Sequence, residues 1–276
     1  MARLAEHALL AVQRLKLLIA YDGRPFAGWQ SQARRDGIQD KVEAAFKKIT
    51  GADVRVHGSG RTDSGVHALG QVAHADVPRG KHTPARWLAA LNANLPFEVR
   101  VLAVTLVPGG RVPGGRDGFH ARYSATGKRY EYRIWNAPWQ HPLEIGRAWH
   151  VPRDLDFEAM HKAAAKLIGR HDFAAFAANR GEEEPDTIRT LNKVELRRRG
   201  ALLTLRFEGD GFLYKMVRML TGTLIRIGES KAPVSLIDEL LRASRPRKTN
   251  FAAPAEGLYL TRVFYRKAPA RQAAKR

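Results

Sequence analysis

The chain has 276 residues, 44% of them hydrophobic, which makes it a globular protein with room for one large domain or two ordinary ones. It has no cysteine, which excludes disulfides, thiolate metal sites and a cysteine nucleophile. Its 47 Lys and Arg against 27 Asp and Glu give a net charge of +20, clustered at residues 197–199, at 242–248 and in the tail, and such clusters point to a polyanionic partner.

Nucleic acid fits that charge better than a membrane, because no basic helix with an aromatic face is present. The N-terminal apolar run is interrupted by Glu6, His7, Arg14 and Lys16. That pattern suits neither a secretion signal nor a membrane span. Residues 1–13 read as an extension. The absence of cysteine suits the cytoplasm.

In chain order, "RLKLLIAYDG" alternates as a strand and ends in a turn. "IQDKVEAAFKKITG" puts Ile38, Val42, Ala45, Phe46 and Ile49 on one helical face, with Gly51 as the stop. "DVRVHG" is a short strand and "LGQVAHADV" a second. "TPARWLAALNANLP" is a helix capped by Thr83 with Pro84 in its first turn. "EVRVLAVTLV" is a strand. The order over residues 14–107 is β-α-β-β-α-β.

Residues 108–118, "PGGRVPGGRDG", form a linker. After it, "GKRYEYRIWN" is a strand and "DFEAMHKAAAKLIG" a helix capped by Asp154 or Asp156. "DTIRTLNKVELRRRGALLTLRFEG" is a hairpin turning near Gly200. "FLYKMVRMLTGTLIRIG" is a helix, "SLIDELLRA" an inserted one, and "EGLYLTRVFYR" the closing strand. Residues 119–266 therefore repeat the same order, and 267–276 form a basic tail. The fold class is α+β: two ferredoxin-like halves, each a sheet with its helices on one face.

One stretch stands out. "HGSGRTDSGVHALGQ", residues 57–71, wraps glycines around Asp63 between two strands. The glycine spacing is wrong for a phosphate-binding loop, which needs Gly-Lys-Ser/Thr opening a helix. His57, His67, His74 and His82 do not have a metal-ligand spacing, and strand alternation scatters them over different faces. Ordinary glycoside hydrolysis needs two carboxylates, and "EEEPD" at 182–186 reads as a solvated loop. A single carboxylate acting on a base or sugar of RNA remains.

Six segments in register resemble the tRNA pseudouridine synthase A family. They are "YDGRPFAGWQ", "GRTDSGVHA", "NANLP", "FHARYSATGKRYEY", "GFLYKMVRMLTGTL" and "EGLYL", spanning residues 14–266. The resemblance implies the two ferredoxin-like halves merge into one long mixed or antiparallel sheet. It implies a homodimer that isomerises uridine to pseudouridine in the anticodon stem-loop of tRNA (positions 38, 39 and 40), with no cofactor and no metal. Asp63 matches the family's essential aspartate, as nucleophile or base toward C1′, C6 or C2′. A nearby arginine would favour its ionised form.

Arg218, set among the apolar residues of its helix, is the candidate for that arginine and a substrate-binding residue. Tyr130 matches the active-site tyrosine, whose face receives the unstacked base. Tyr132 shares its parity. Arg61 would sit beside the flipped nucleotide or contact phosphate. The main rival, a non-catalytic RNA-binding protein, lacks the aromatic strand motif of an RNA-recognition domain. A metal-dependent nuclease would need several converging carboxylates.

Overall fold

The computed structural model describes residues 12–80, 82–110, 118–178, 186–242, 248–249 and 251–266. The extension up to residue 11, residues 111–117 of the linker, residues 182–185 of the "EEEPD" stretch, residues 243–247 of the basic run and the tail from 267 lie outside them.

The first half runs β1 (Val12–Tyr21), α1 (Ile38–Thr50), β2 (Val56–Gly58), β3 (His67–Pro78), α2 (Pro84–Asn94) and β4 (Val99–Val107). Helix α1 buries Ile38, Val42, Ala45 and Phe46, the stripe its periodicity requires. Asp40 reaches back to the Gly37 N–H at 3.0 Å and so satisfies an otherwise orphaned donor at the helix start. Helix α2 starts where Thr83 Oγ1 accepts from the Arg86 N–H at 3.3 Å, with Pro84 in its first turn. Phe46 of α1 meets Trp87 of α2 with ring centroids 5.8 Å apart. Each such side chain contributes about 1.5–3 kcal/mol on leaving water.

The second half runs β5 (Ala125–Trp135), β6 (Trp149–His150), α3 (Phe157–Ala165), β7 (Gly169–Asp172), β8 (Ile188–Arg199), β9 (Leu202–Gly209), α4 (Met216–Gly228), α5 (Leu236–Arg242) and β10 (Leu258–Tyr265). Asp156, not Asp154, caps α3 by accepting from the Ala159 N–H at 2.8 Å. Two elements differ from expectation. Helix α3 stops at Ala165, and the chain then forms the short edge strand β7. Helix α4 starts at Met216, because Lys215 takes a left-handed conformation (φ 57°) that a helix cannot continue through. Phe212 and Leu213 are thereby left in a turn ahead of it.

Among the described residues ten strands form one mixed sheet, ordered β4-β1-β3-β10-β5-β9-β8-β7, with β2 on β3 and β6 on β5. Each half keeps the same internal order: β4-β1-β3-β2 in the first and β10-β5-β9-β8 in the second. The halves join where β10 runs parallel to β3 through Tyr259↔His67 and Leu260↔Ala68. Leu15, Leu17, Ile19, Ala73 and Ala75 line the covered face of the first half. Tyr132, Ile134, Leu203, Leu205 and Phe207 continue it in the second. Helices α1 and α2 pack together, as do α3 and α4.

Candidate active site

Strand β2 ends at Gly58, and the chain leaves the sheet for residues 59–66 before returning as β3. Backbone groups that leave a ladder need other partners. The Ser59 N–H donates to the Val72 carbonyl at 2.8 Å and the Trp29 N–H to the Thr62 carbonyl at 3.0 Å. Gln71, fully buried, donates to the Gly60 carbonyl at 3.0 Å and accepts from the Ser59 hydroxyl at 2.7 Å. The Tyr21 and Thr62 hydroxyls lie 2.8 Å apart. Burial pushes the Tyr21 hydroxyl up to about 12, so it stays protonated. The loop is therefore a braced element whose backbone geometry is fixed on three sides.

Asp63 sits on this loop with its side chain 22% exposed, and its Oδ2 is 3.4 Å from Arg218 Nη1. Arg218 Nε also donates to the Ala253 carbonyl at 2.7 Å. One guanidinium thus ties the first turn of α4 to both the loop of the other half and the segment before β10. Arg218 stands behind the carboxylate, while Asp63 itself faces a cavity of about 590 Å³. That volume lies within the ~300–1,000 Å³ usual for small-ligand sites.

Tyr130 of β5 lines the same cavity, nearly buried, with its ring edge-on to Phe212 at 4.9 Å. Burial holds its hydroxyl well above the usual range, with Tyr21 and Asp63 adding to the effect. Arg61 lies exposed at the rim, where its Nε donates to Gln30 Oε1 at 3.0 Å. Asp63, Tyr130 and Arg61 therefore meet around one space, with Arg218 behind. Tyr132 does not join them: it is fully buried, and its hydroxyl donates to the Pro254 carbonyl at 2.7 Å.

Several contributors were not singled out in the sequence. Phe212 and Leu258 line the cavity, and Tyr21 and Gln71 brace the loop. Gln71 closes the quoted motif, and a glutamine between Gly70 and Val72 on the following strand was its available signal. The histidines also depart from expectation. His57 and His74 are register partners on β2 and β3, with rings stacked at 4.9 Å, and His120 lies 4.4 Å from His74. The sequence pattern could not show that the short β2 pairs with this part of β3. Desolvation first, then repulsion from its neighbours, pushes His74 down to about 3, so it is neutral. Its Nδ1 accepts from the Ala121 N–H at 3.2 Å. Among the described residues no group of three or more His, Asp or Glu is arranged to hold a metal ion.

An arginine-backed carboxylate beside an aromatic wall, under a rim with Arg55, Arg61 and Arg122, suits a nucleotide taken out of its stack. A family model described as tRNA pseudouridine synthase matches residues 17–110 and 163–266. The chain belongs to the tRNA pseudouridine synthase family. It is 44% identical over 260 residues to a tRNA pseudouridine synthase A of Akkermansia muciniphila, covering 91% of this chain and 95% of that protein. It is 42% identical to one of Bradyrhizobium diazoefficiens, covering 91% and 99%. It is 40% identical to one of Acetivibrio thermocellus, covering 92% and 100%. Members of the tRNA pseudouridine synthase family isomerise uridine to pseudouridine in tRNA, and the first matched segment contains the whole Asp63 loop.

Proposed function

We propose that this enzyme modifies uridines of the tRNA anticodon stem-loop at positions 38, 39 and 40, with Asp63 as the catalytic group and without a cofactor. The reaction breaks the N1–C1′ bond, turns the uracil and forms a C5–C1′ bond. C5 loses a proton and N1 gains one, so the change balances as an isomerisation. Asp63 acts as nucleophile or base toward the target nucleotide, and Arg218 keeps the carboxylate in place. Tyr130 receives the uracil against its ring. Arg61, at the rim, contacts the incoming strand.

The observation that carries this reading is the Asp63 carboxylate, held 3.4 Å from Arg218 on a braced loop and facing the cavity that Tyr130 lines. The same proposal includes domains at 14–107 and 119–266 joined by the linker 108–118, a cytoplasmic location and a homodimer. Among the described residues no helix is long and apolar enough to cross a membrane. A groove on the other sheet face, lined by Leu18, Leu69, Ala103 and Tyr265 together with Lys16 and Arg262, offers a surface for a second copy of the chain.

Incubation of unmodified stem-loop transcript with Asp63→Asn tests the catalytic assignment. The expected result is a loss of roughly 10²–10⁴-fold or more in pseudouridine formation, with RNA affinity retained. Near-normal turnover by this variant would refute it.

A further inference from the structure

Lys128 lies two residues before Tyr130 on β5, on the same face of the strand, and lines the same cavity as Asp63. It is half-buried. Several other lysines reach carboxylates, Lys47 meeting Asp53, Lys166 Asp238 and Lys193 Glu195 at 2.8, 2.7 and 2.7 Å, while Lys16 lies over the Phe119 and Tyr265 rings. Among the described residues Lys128 has no such partner, and the charged neighbour that acts on it is Arg122, which repels it. Desolvation first and this repulsion second push its ammonium down to about 8. A desolvated cation without a counter-charge is costly, and an anion in the cavity would offset that cost.

The loop above is shaped to admit this ammonium. A Cβ on Gly60 would sit 2.5 Å from Lys128 Nζ, so glycine at this position leaves the space the lysine occupies. Gly60 is itself fixed by the Gln71 side chain on its carbonyl. The cation is thus held between the strand that carries Tyr130 and the loop that carries Asp63, at the junction of the two halves of the reaction centre. A nucleotide whose uracil lies against Tyr130 and whose sugar faces Asp63 brings its backbone phosphate into the same space. A compact ammonium suits one phosphate as a point charge.

We infer that Lys128 forms a phosphodiester subsite, binding a backbone phosphate next to the uridine held against Tyr130. This rests on the reading of the cavity as the active site. The subsite holds the flipped nucleotide by its backbone, so that the base stays free to turn while C1′ stays beside the carboxylate.

The test uses full-length enzyme in single-turnover reactions on a stem-loop RNA. The RNA carries native linkages, or one neutral methylphosphonate either 5′ or 3′ of the target uridine. Lys128→Met is expected to lower kcat/KM about 10–100-fold on native RNA, the range of a charge-assisted hydrogen bond. It should keep or raise the melting temperature, since a desolvated charge is removed. Lys128→Arg should restore most of the activity. One of the two methylphosphonates should slow the wild-type chain to the same extent and slow Lys128→Met no further. Wild-type rates from Lys128→Met on native RNA overturn the proposal. So do losses from the lysine change and from both neutral linkages that simply multiply, a comparison that stays informative even if the methionine variant folds poorly and only Lys128→Gln can be used. Asp63→Asn is run in parallel. If it stays active, the active-site reading itself fails; if it is dead while Lys128→Met is unimpaired, only the lysine assignment fails.

Discussion

The two halves have the same strand order, yet the connection between their second and third strands differs completely. In the second half, β8 and β9 pair from Leu191↔Gly209 to Arg199↔Leu202 and close through an exposed turn at Gly200. In the first half, β2 meets β3 over three pairs, Val56↔Ala75 to Gly58↔Ala73. The chain then leaves the sheet for the loop that carries Asp63. The early end of β2 has two consequences. It leaves the β3 edge at His67 and Ala68 open for β10, which draws β5 and Tyr130 in behind it. It also leaves a stretch of backbone free to arch over that new junction. A single site arises from a repeated topology because only one of the two hairpins is cut short.

The two connections can be separated by glycine substitutions. Gly28 has φ 97°, and a Cβ there would lie 2.5 Å from the Thr62 carbonyl oxygen and 3.0 Å from the Asp63 carbonyl carbon. Gly200 has φ 59° with nothing within 4 Å of the same position. Both substitutions carry the left-handed penalty of roughly 1–2 kcal/mol, but only Gly28→Ala also pushes the Asp63 loop. We expect Gly28→Ala to lower kcat/KM by about 10²-fold or more, the cost of misplacing a reacting group by about 1 Å. Gly200→Ala should lower the melting temperature and leave turnover unchanged. Thermal unfolding and kinetics on one stem-loop RNA measure both. Equal activity losses would mean that the two connections are not functionally distinct.

Local features were legible in the sequence where neighbours along the chain decide them. The α1 stripe, the Thr83 cap, the turn at Gly200 and the glycine-bounded Asp63 loop all follow from spacing and turn chemistry. Features decided by distant segments were not. The parallel contact between β10 and β3 has two residue pairs and joins segments from opposite halves of the chain, Tyr259 with His67 and Leu260 with Ala68. The start of α4 depends on a left-handed Lys215, which its apolar surroundings do not announce. Phe212 and Leu258 reach the cavity only because β10, β5 and α4 converge. Lys128 reads as an ordinary strand lysine until Gly60, 68 positions earlier by the numbering of the chain, is seen against it. The family motifs located the loop and Tyr130, whereas the means by which the loop is held lay in pairings that no local pattern encodes.

A smaller effect is expected at Tyr21. Its hydroxyl meets Thr62 Oγ1 at 2.8 Å beneath the loop, and both residues are buried. Tyr21→Phe removes one partner and leaves the other unsatisfied, which costs about 1–3 kcal/mol. The loop keeps its Gln71 and Trp29 bonds, so kcat should fall only several-fold, far less than for Gly28→Ala. Denaturant unfolding alongside kinetics checks this, and a kcat loss as large as that of Gly28→Ala would show that the brace acts through this one hydroxyl.

The smallest effect is expected on the uncovered face of the second half. Glu131 alternates with Tyr130 and Tyr132 and so points away from the cavity. It receives Arg206 at 2.9 Å across the β5–β9 pair, and Arg206 also approaches Glu195 at 3.4 Å. Arg129 and Glu208 form the neighbouring cross-strand pair at 2.8 Å. These side chains are partly exposed, so water and salt screen them, and such pairs contribute about 0.2–1 kcal/mol. A double-mutant cycle with Glu131→Gln and Arg206→Gln should give a coupling in that range that shrinks as salt rises, with pseudouridine formation unchanged in all three variants. A coupling well above that range, or a loss of turnover, would mean that the charged face communicates with the cavity through the sheet. The division between a reactive face and a merely solvated one would then no longer hold.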